Sequence, residues 1–258
     1  RLKAADINLP IRSTGATENA ILCACLAEGR TRIWNPHVRP EILDLILLLN
    51  NMGAKVAVHG QEHIEVNGVD SLGGAEHRVI PDNVEALTWI VASIITGGDI
   101  EIIDVPFSHI DIPMIFLKEC KAQFYRSGNN LIVKGGKSFP FEISTGPYPG
   151  INSDMQPLFV SYALTANGLS RIVDSRFPDR HAYLHELVKM NASVKSEGTQ
   201  ITIQGGNKLY GAEVAATDIR GGAALTLCGL VANGETTISN VHQIERGYNN
   251  FIQKLLSL

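Results

Sequence analysis

Residues 154–175, DMQPLFVSYALTANGLSRIVDS, read as an apolar helix, a glycine and a short β-rich run, and three other stretches of the chain repeat that order. They are ATENAILCACLAEGRTRIWN (16–35), NVEALTWIVASIITGGDIEIIDV (83–105) and RGGAALTLCGLVANGETTISNV (220–241). The punctuating glycines, Gly29, Gly98, Gly168 and Gly234, recur at a spacing of about 70 residues, the signature of an internal repeat. Each is expected to cap its helix in the left-handed conformation, with the following Thr/Ile/Val run forming a strand. A second amphipathic helix follows in three of the units, in 41–56, 112–124 and 182–194. Hairpin-like pairs such as KVAVHGQEHIEV (55–66) and SVKSEGTQITIQ (193–204) come next. The unit is therefore β-α-β-α-β-β or a close permutation, and the class is mixed α/β (α+β), with helices buried against one face of a mixed sheet. The fourth unit reaches only its second helix by Leu258, so its closing strands are expected to come from elsewhere.

The Pro/Gly-rich run Ser144–Pro149 is the best candidate for a domain boundary, giving residues 1–146 two units and 147–258 one and a half. Directly after it, PYPGINSDMQ (147–156) carries Asp154 into a helix, at the rim of the expected cleft between domains. Two readings of this segment stand together. Ser153 and Gln156 have the spacing of a capping box with Asp154 adding charge to the first turn, or Asp154 is the chemical centre. The first helices of the other units start similarly, at Ser13-Thr14-Gly15, at Asp82 with Glu85, and at Asp218 with Arg220. Unpaired N–H groups at a helix start can seat a phosphate, and the same residues also serve as plain caps.

Four arginines, Arg176, Arg180, Arg220 and Arg246, fall in connections between repeat elements. Arg176 and Arg180 flank Phe177-Pro178-Asp179. Guanidinium groups bind carboxylates and phosphates bidentately, so beside two carboxylates they describe a site for a small acidic substrate with a proton-transfer pair. Taken singly, each is an ordinary surface charge.

Composition narrows the options. With 45% hydrophobic and 19% charged residues in 258, the chain is globular with a sizeable core. A net charge of −4 argues against a nucleic-acid surface. No stretch approaches the roughly 20 apolar residues of a membrane span, and a cytoplasmic location is expected. Cys23, Cys25, Cys120 and Cys228 are scattered and read as reduced thiols. His181 and His185 lack the order of a zinc-protease motif, and no metal site is expected.

The strings STGATENAIL (13–22), LAEGRTRIWNPHVRPEILDL (26–45), GAEHRVIPDNVEALT (74–88), PYPGINSDMQ, LHELVKMNA (184–192), KLYGAEVAATDIRGGAALTLCGLVANGETTISNV (208–241) and IERGY (244–248) together resemble the enolpyruvyl transferase family, specifically its UDP-N-acetylglucosamine branch. The resemblance implies a two-domain fold of six βαβαββ units, incomplete at both ends here. It implies transfer of the enolpyruvyl group of phosphoenolpyruvate to the 3-hydroxyl of UDP-N-acetylglucosamine, with release of phosphate, in peptidoglycan synthesis. No cofactor is implied, and small molecules are the only partners. Asp154 matches the proposed general base, and Asp218 a second acid near the reacting carbon. Arg220 and Arg246 match arginines facing phosphoenolpyruvate, and Arg180 one at the substrate cleft. Ser13, Thr14 and Gly15, preceded by Ile11 and Arg12, match the loop at the nucleotide diphosphate.

Several positions depart from the family pattern. Ile11 stands at a lysine position, Arg176 where a small apolar residue touches the sugar, Gln243 for a histidine and Glu245 for an aspartate. The family's amino-terminal Lys-Asn pair and its loop bearing a cysteine and an arginine have no counterpart in these residues. The chain is therefore expected to need a further N-terminal segment. A shortened paralogue that binds a nucleotide sugar or partner without catalysis, and a transferase using another uridine nucleotide, are the alternatives. An RNA 3'-terminal phosphate cyclase fits the acidic pI and the NSDMQ and ATDIR strings less well.

Overall fold

The computed structural model describes residues 1–177 and 180–258. They form two compact units, Arg1–Ile80 and Pro81–Leu258, here called the N-unit and C-unit.

The N-unit is one complete repeat. In chain order it runs β1 (Asp6–Asn8), α1 (Thr14–Cys25), β2 (Arg30–Trp34), α2 (Pro40–Asn51), β3 (Lys55–His59) and β4 (His63–Asn67). Strand order is β1-β2-β4-β3, with β1 parallel to β2 and the other pairs antiparallel. Alternation sets the faces: Thr31 and Ile33 of β2, and Ile64 and Val66 of β4, point inward against Ile42, Ile46 and Leu49 of α2. The spacing of those three helix residues puts them on one stripe of α2. Each such side chain contributes about 1.5–3 kcal/mol on burial.

The C-unit opens with α3 (Asn83–Thr96), β5 (Ile100–Ile102), α4 (Phe107–Glu119), β6 (Gln123–Ser127) and β7 (Asn130–Lys134), whose strands form an antiparallel β5-β7-β6 sheet. The next repeat comprises β8 (Glu142–Ser144), a 3-10 turn (Ser153–Met155), α5 (Gln156–Thr165), β9 (Gly168–Val173), α6 (Ala182–Lys189), β10 (Ser193–Glu197) and β11 (Gln200–Gly205). Its order, β10-β11-β9-β8 with β8 parallel to β9, matches that of the N-unit. Last come β12 (Glu213–Ala215), α7 (Ile219–Val231), β13 (Thr237–Ser239), α8 (His242–Glu245) and α9 (Phe251–Leu256), with β12 parallel to β13.

Helices α3, α5 and α7 pack on one another and are not one-sided: every residue from Gln156 to Leu164 is buried. A helix apolar on all sides belongs inside a core, and this trio forms the centre of the C-unit. The division expected at 146/147 thus falls inside the C-unit, and the two compact units divide at 80/81. Residues 144–150 form an ordered turn rather than a linker: Gly146 N–H donates to Ile151 O at 2.7 Å and Gly150 N–H to Pro147 O at 2.9 Å.

The repeat glycines differ from expectation in detail. Gly29, Gly168 and Gly234 have left-handed φ but lie beyond the caps Leu26, Ala166 and Ala232. In α3 the left-handed cap is Gly97, with φ +76°, not Gly98. A second glycine series closes each full hairpin. A Cβ on Gly68, Gly135 or Gly205 would lie 1.7–2.1 Å from backbone atoms of Ala27, Gly97 or Ala163, where the strand passes the end of the repeat's first helix.

Candidate active site

Three helix starts meet in the C-unit, and each carries an aspartate. Asp82 caps α3, accepting from Val84 N–H at 2.7 Å and Glu85 N–H at 3.1 Å. Asp218 caps α7, accepting from Arg220 N–H at 2.8 Å and Gly221 N–H at 2.9 Å. Asp154 sits in the 3-10 turn leading into α5. The capping box expected of Ser153 and Gln156 is not formed. Asn152 caps the turn through Asp154 N–H at 2.6 Å, Ser153 Oγ donates to Asp174, and Gln156 donates to the Tyr183 hydroxyl. Nor does Glu85 close a box with Asp82: its carboxylate takes Lys254 at 2.6 Å and Trp89 Nε1 at 3.2 Å.

Two arginines pair with the aspartates. Arg180 donates through Nη1 to Asp154 Oδ1 at 2.6 Å, and its Nη2 lies 3.9 Å from Asp218 Oδ1. Arg220 Nη2 lies 3.9 Å from Asp82 Oδ2, and its guanidinium sits over the Tyr248 ring, 5.0 Å from the centroid. The Arg220 side chain is only 12% exposed. Burial opposes its charge, but Tyr248 and Asp82 outweigh that, and its pKa lies above the ordinary value. Its Nη1 is buried without a hydrogen-bond partner among the described residues. A permanently charged donor left in this state is suited to donating to an anionic oxygen.

The loop that carries Arg180 is anchored by Asp174, which is 1% exposed. Its Oδ1 accepts from Thr145 Oγ and Ser153 Oγ at 2.9 Å, and from the N–H groups of Arg176 at 3.0 Å and Phe177 at 3.4 Å. One buried carboxylate therefore fixes the end of β8, the turn holding Asp154 and the loop leading to Arg180. The guanidinium groups of Arg176 and Arg180 both lie over the Phe177 ring, at 5.2 and 5.7 Å. Pro178 and Asp179 lie outside the described residues. Arg246 is exposed at the end of α8 and donates to Gln243 Oε1 at 2.8 Å. Close approach of that segment to α7 depends on Gly222 and Gly247, where a Cβ would meet Ile244 and Ile219 at 2.5 Å.

In the N-unit, Ser13 caps α1, accepting from Ala16 N–H at 3.3 Å, and Thr14 Oγ lies 3.1 Å from His37 Nδ1. Arg12 donates to Asn35 Oδ1 at 3.2 Å, Ile11 is 60% exposed, and open space surrounds Gly15.

The family model for EPSP synthase (3-phosphoshikimate 1-carboxyvinyltransferase) matches residues 1–255. The chain belongs to the EPSP synthase family. Among relatives in this family, it is 41% identical over 259 residues to UDP-N-acetylglucosamine 1-carboxyvinyltransferase 1 of Caldanaerobacter subterraneus subsp. tengcongensis, covering 100% of this chain and 62% of the relative. It is 40% identical over 256 residues to UDP-N-acetylglucosamine 1-carboxyvinyltransferase of Caulobacter sp., covering 98% and 59%. The chain thus spans about three-fifths of the length of these curated relatives. The EPSP synthase family fold is also seen in solved structures. The enolpyruvyl transferase NikO of Streptomyces tendae superposes with a TM-score of 0.88 at 23% identity, over 100% of this chain and 64% of that one. EPSP synthase of Acinetobacter baumannii gives 0.76 at 20% identity, over 100% and 63%.

Of the residues singled out from the sequence, the structure brings Asp154, Asp218 and Arg180 together and sets Arg220 beside Asp82 and Tyr248, whereas the sequence alone showed no sign of Asp174 or of those two partners of Arg220. The available signal for Asp174 was its place just after the second strand of its repeat, where Asn35 stands in the N-unit.

Proposed function

We propose that the intact protein transfers the enolpyruvyl group of phosphoenolpyruvate to the 3-hydroxyl of UDP-N-acetylglucosamine, releasing phosphate, as an early step of peptidoglycan synthesis in the cytoplasm. The observation that carries this reading is the aspartate–arginine cluster, in which Arg180 lies between Asp154 and Asp218, and Arg220 lies beside Asp82 with its Nη1 buried and without a hydrogen-bond partner among the described residues. The names of the curated relatives supply the substrates. Among the described residues no helix is long and apolar enough to cross a membrane.

In this mechanism Asp154 takes the proton of the attacking hydroxyl, and Arg180, bound to its Oδ1, holds it in orientation. Asp218 lies on the other side of Arg180 and relays a proton to the methylene carbon on addition and away from it again as phosphate leaves and the vinyl double bond re-forms. Arg220 and Arg246 balance the phosphate and carboxylate of phosphoenolpyruvate, and the helix starts add partial positive charge. Ser13, Thr14 and Gly15, with Ile11 and Arg12, form the seat for the nucleotide diphosphate, where α1 presents free N–H groups. Arg176 faces the sugar. No metal or organic cofactor takes part. Because Ile11 and Arg176 depart from the family pattern at the acceptor, another uridine nucleotide is the second reading.

The test is phosphate release by the intact protein, with its flanking sequence, from phosphoenolpyruvate and UDP-N-acetylglucosamine. Asp154→Ala is expected to lower turnover by about 10²–10⁴-fold with an unchanged circular dichroism spectrum. Undiminished turnover would overturn the assignment. A preference for a different uridine nucleotide would favour the second reading.

A further inference from the structure

Outside the aspartate–arginine cluster, the chemistry-bearing group that stands out is on the outer face of the N-unit sheet. Strand alternation sends Trp34 of β2, His63 and Glu65 of β4, and His59 of β3 away from the core. His59 and His63 are direct cross-strand partners, joined by the short turn at Gly60–Glu62. Their rings stack with centroids 4.4 Å apart and planes 10° apart. On its other side His63 meets the Trp34 ring at 4.6 Å. Glu65, two residues along β4, shares the face, and one ligand atom from each of His59, His63 and Glu65 lies within 4.8 Å of the others.

Two details distinguish this cluster from an ordinary polar surface. Nδ1 of His63 is buried and has no hydrogen-bond partner among the described residues, an unusual state for a ring nitrogen. The Arg30 and Arg32 contacts to Glu65, at 3.8 and 3.5 Å, both fall on Oε2. Oε1 has a long 3.4 Å contact from Asn67 Nδ2. One carboxylate oxygen is therefore weakly held.

We infer that His59, His63 and Glu65 form a binding site for a divalent transition-metal ion of the zinc type, closing the β3–β4 hairpin. Imidazole nitrogen with one carboxylate oxygen suits zinc, nickel or copper, whereas calcium and magnesium require mostly oxygen ligands. Two nitrogens bound to one tetrahedral ion at ~2.05 Å lie roughly 3.3 Å apart with both ring planes passing through the ion, so binding requires the exposed His59 ring to swing out of its stack on His63. Water fills the remaining position. The ion supplies a partner for the orphaned His63 nitrogen, or fixes the tautomer that lets it find one. The site has no part in the proposed transfer, and its role is to cross-link the two hairpin strands.

Calorimetric titration of the metal-free 258-residue chain with zinc chloride tests this. One zinc per chain is expected, with an affinity weakened at least about tenfold by His59→Ala and by His63→Ala, and less by Glu65→Gln. His185→Ala, an exposed histidine elsewhere, leaves binding unchanged. Excess zinc raises the melting temperature of the wild type but not of His59→Ala. Since His59 is exposed, that variant carries the test even where His63→Ala disturbs the packing on Trp34. Absence of binding at millimolar zinc overturns the site. So does an affinity left unchanged by either histidine substitution.

Discussion

Asp174 shows how much a single buried carboxylate can organise. Four donors converge on its Oδ1, two of them hydroxyls and two of them backbone N–H groups of the arginine-bearing loop. Asp174→Ala leaves those donors without an acceptor inside the protein. Each unsatisfied donor costs about 1–3 kcal/mol, partly recovered where the loop opens to water. A net loss of about 2–3 kcal/mol is expected from urea denaturation, with Asp174→Asn losing less because its amide oxygen still accepts. Equal stability of the wild type and Asp174→Ala would show that the loop is anchored by other means. Asn35 does comparable work in the N-unit. Its side chain donates to Leu9 O at 2.9 Å and accepts from Arg12, tying the end of β1 to the start of α1. One repeat position thus joins strand end to helix start in both copies, with an amide in one and a carboxylate in the other.

Among the secondary-structure elements, the glycines that close the hairpins carry a sharp expectation. At Gly205 a Cβ would lie 2.1 Å from Ala163 O and 2.2 Å from Ala166 O, both backbone atoms of the α5 terminus. Gly205→Ala is expected to cost about 1–3 kcal/mol or more, because strand and helix must separate. Gly74→Ala, with open space around it, is the neutral control, and thermal melts of the two variants decide the matter. The order of elements was legible in the sequence because its causes are local: apolar runs, turn glycines and alternating strands. The repeat register was enough to align Asp82, Asp154 and Asp218, and the fold brings those helix starts together. What escaped the sequence depends on partners far along the chain. Asn152 displaces Ser153 as the cap because Ser153 is drawn to Asp174, 21 residues later. The Pro/Gly run near Pro149 is the expected domain boundary, and in the structure its backbone is closed by its own hydrogen bonds, with the helices on either side sharing one core. Composition marks a turn there without saying whether the turn divides domains.

For the molecule as a whole, the two units differ in how deeply they are built. The C-unit is centred on α3, α5 and α7, whereas the N-unit packs two helices on one four-stranded sheet within 80 residues. Small cores bury a lower fraction of their surface and open more readily. Hydrogen exchange is therefore expected to be slowest in α5 and its two neighbours, and faster throughout β1–β4. Equal protection in β2 and α5 would contradict this. The thiols follow the same division of depth. Burial raises the pKa of Cys25 and Cys120 and pushes Cys228 up to about 12, so all three are poor nucleophiles, while Cys23 on α1 is exposed. The native chain therefore offers a single ready attachment point for a maleimide dye. It lies on the helix that begins at Ser13, so a fluorophore placed there tests the nucleotide seat proposed at that helix start.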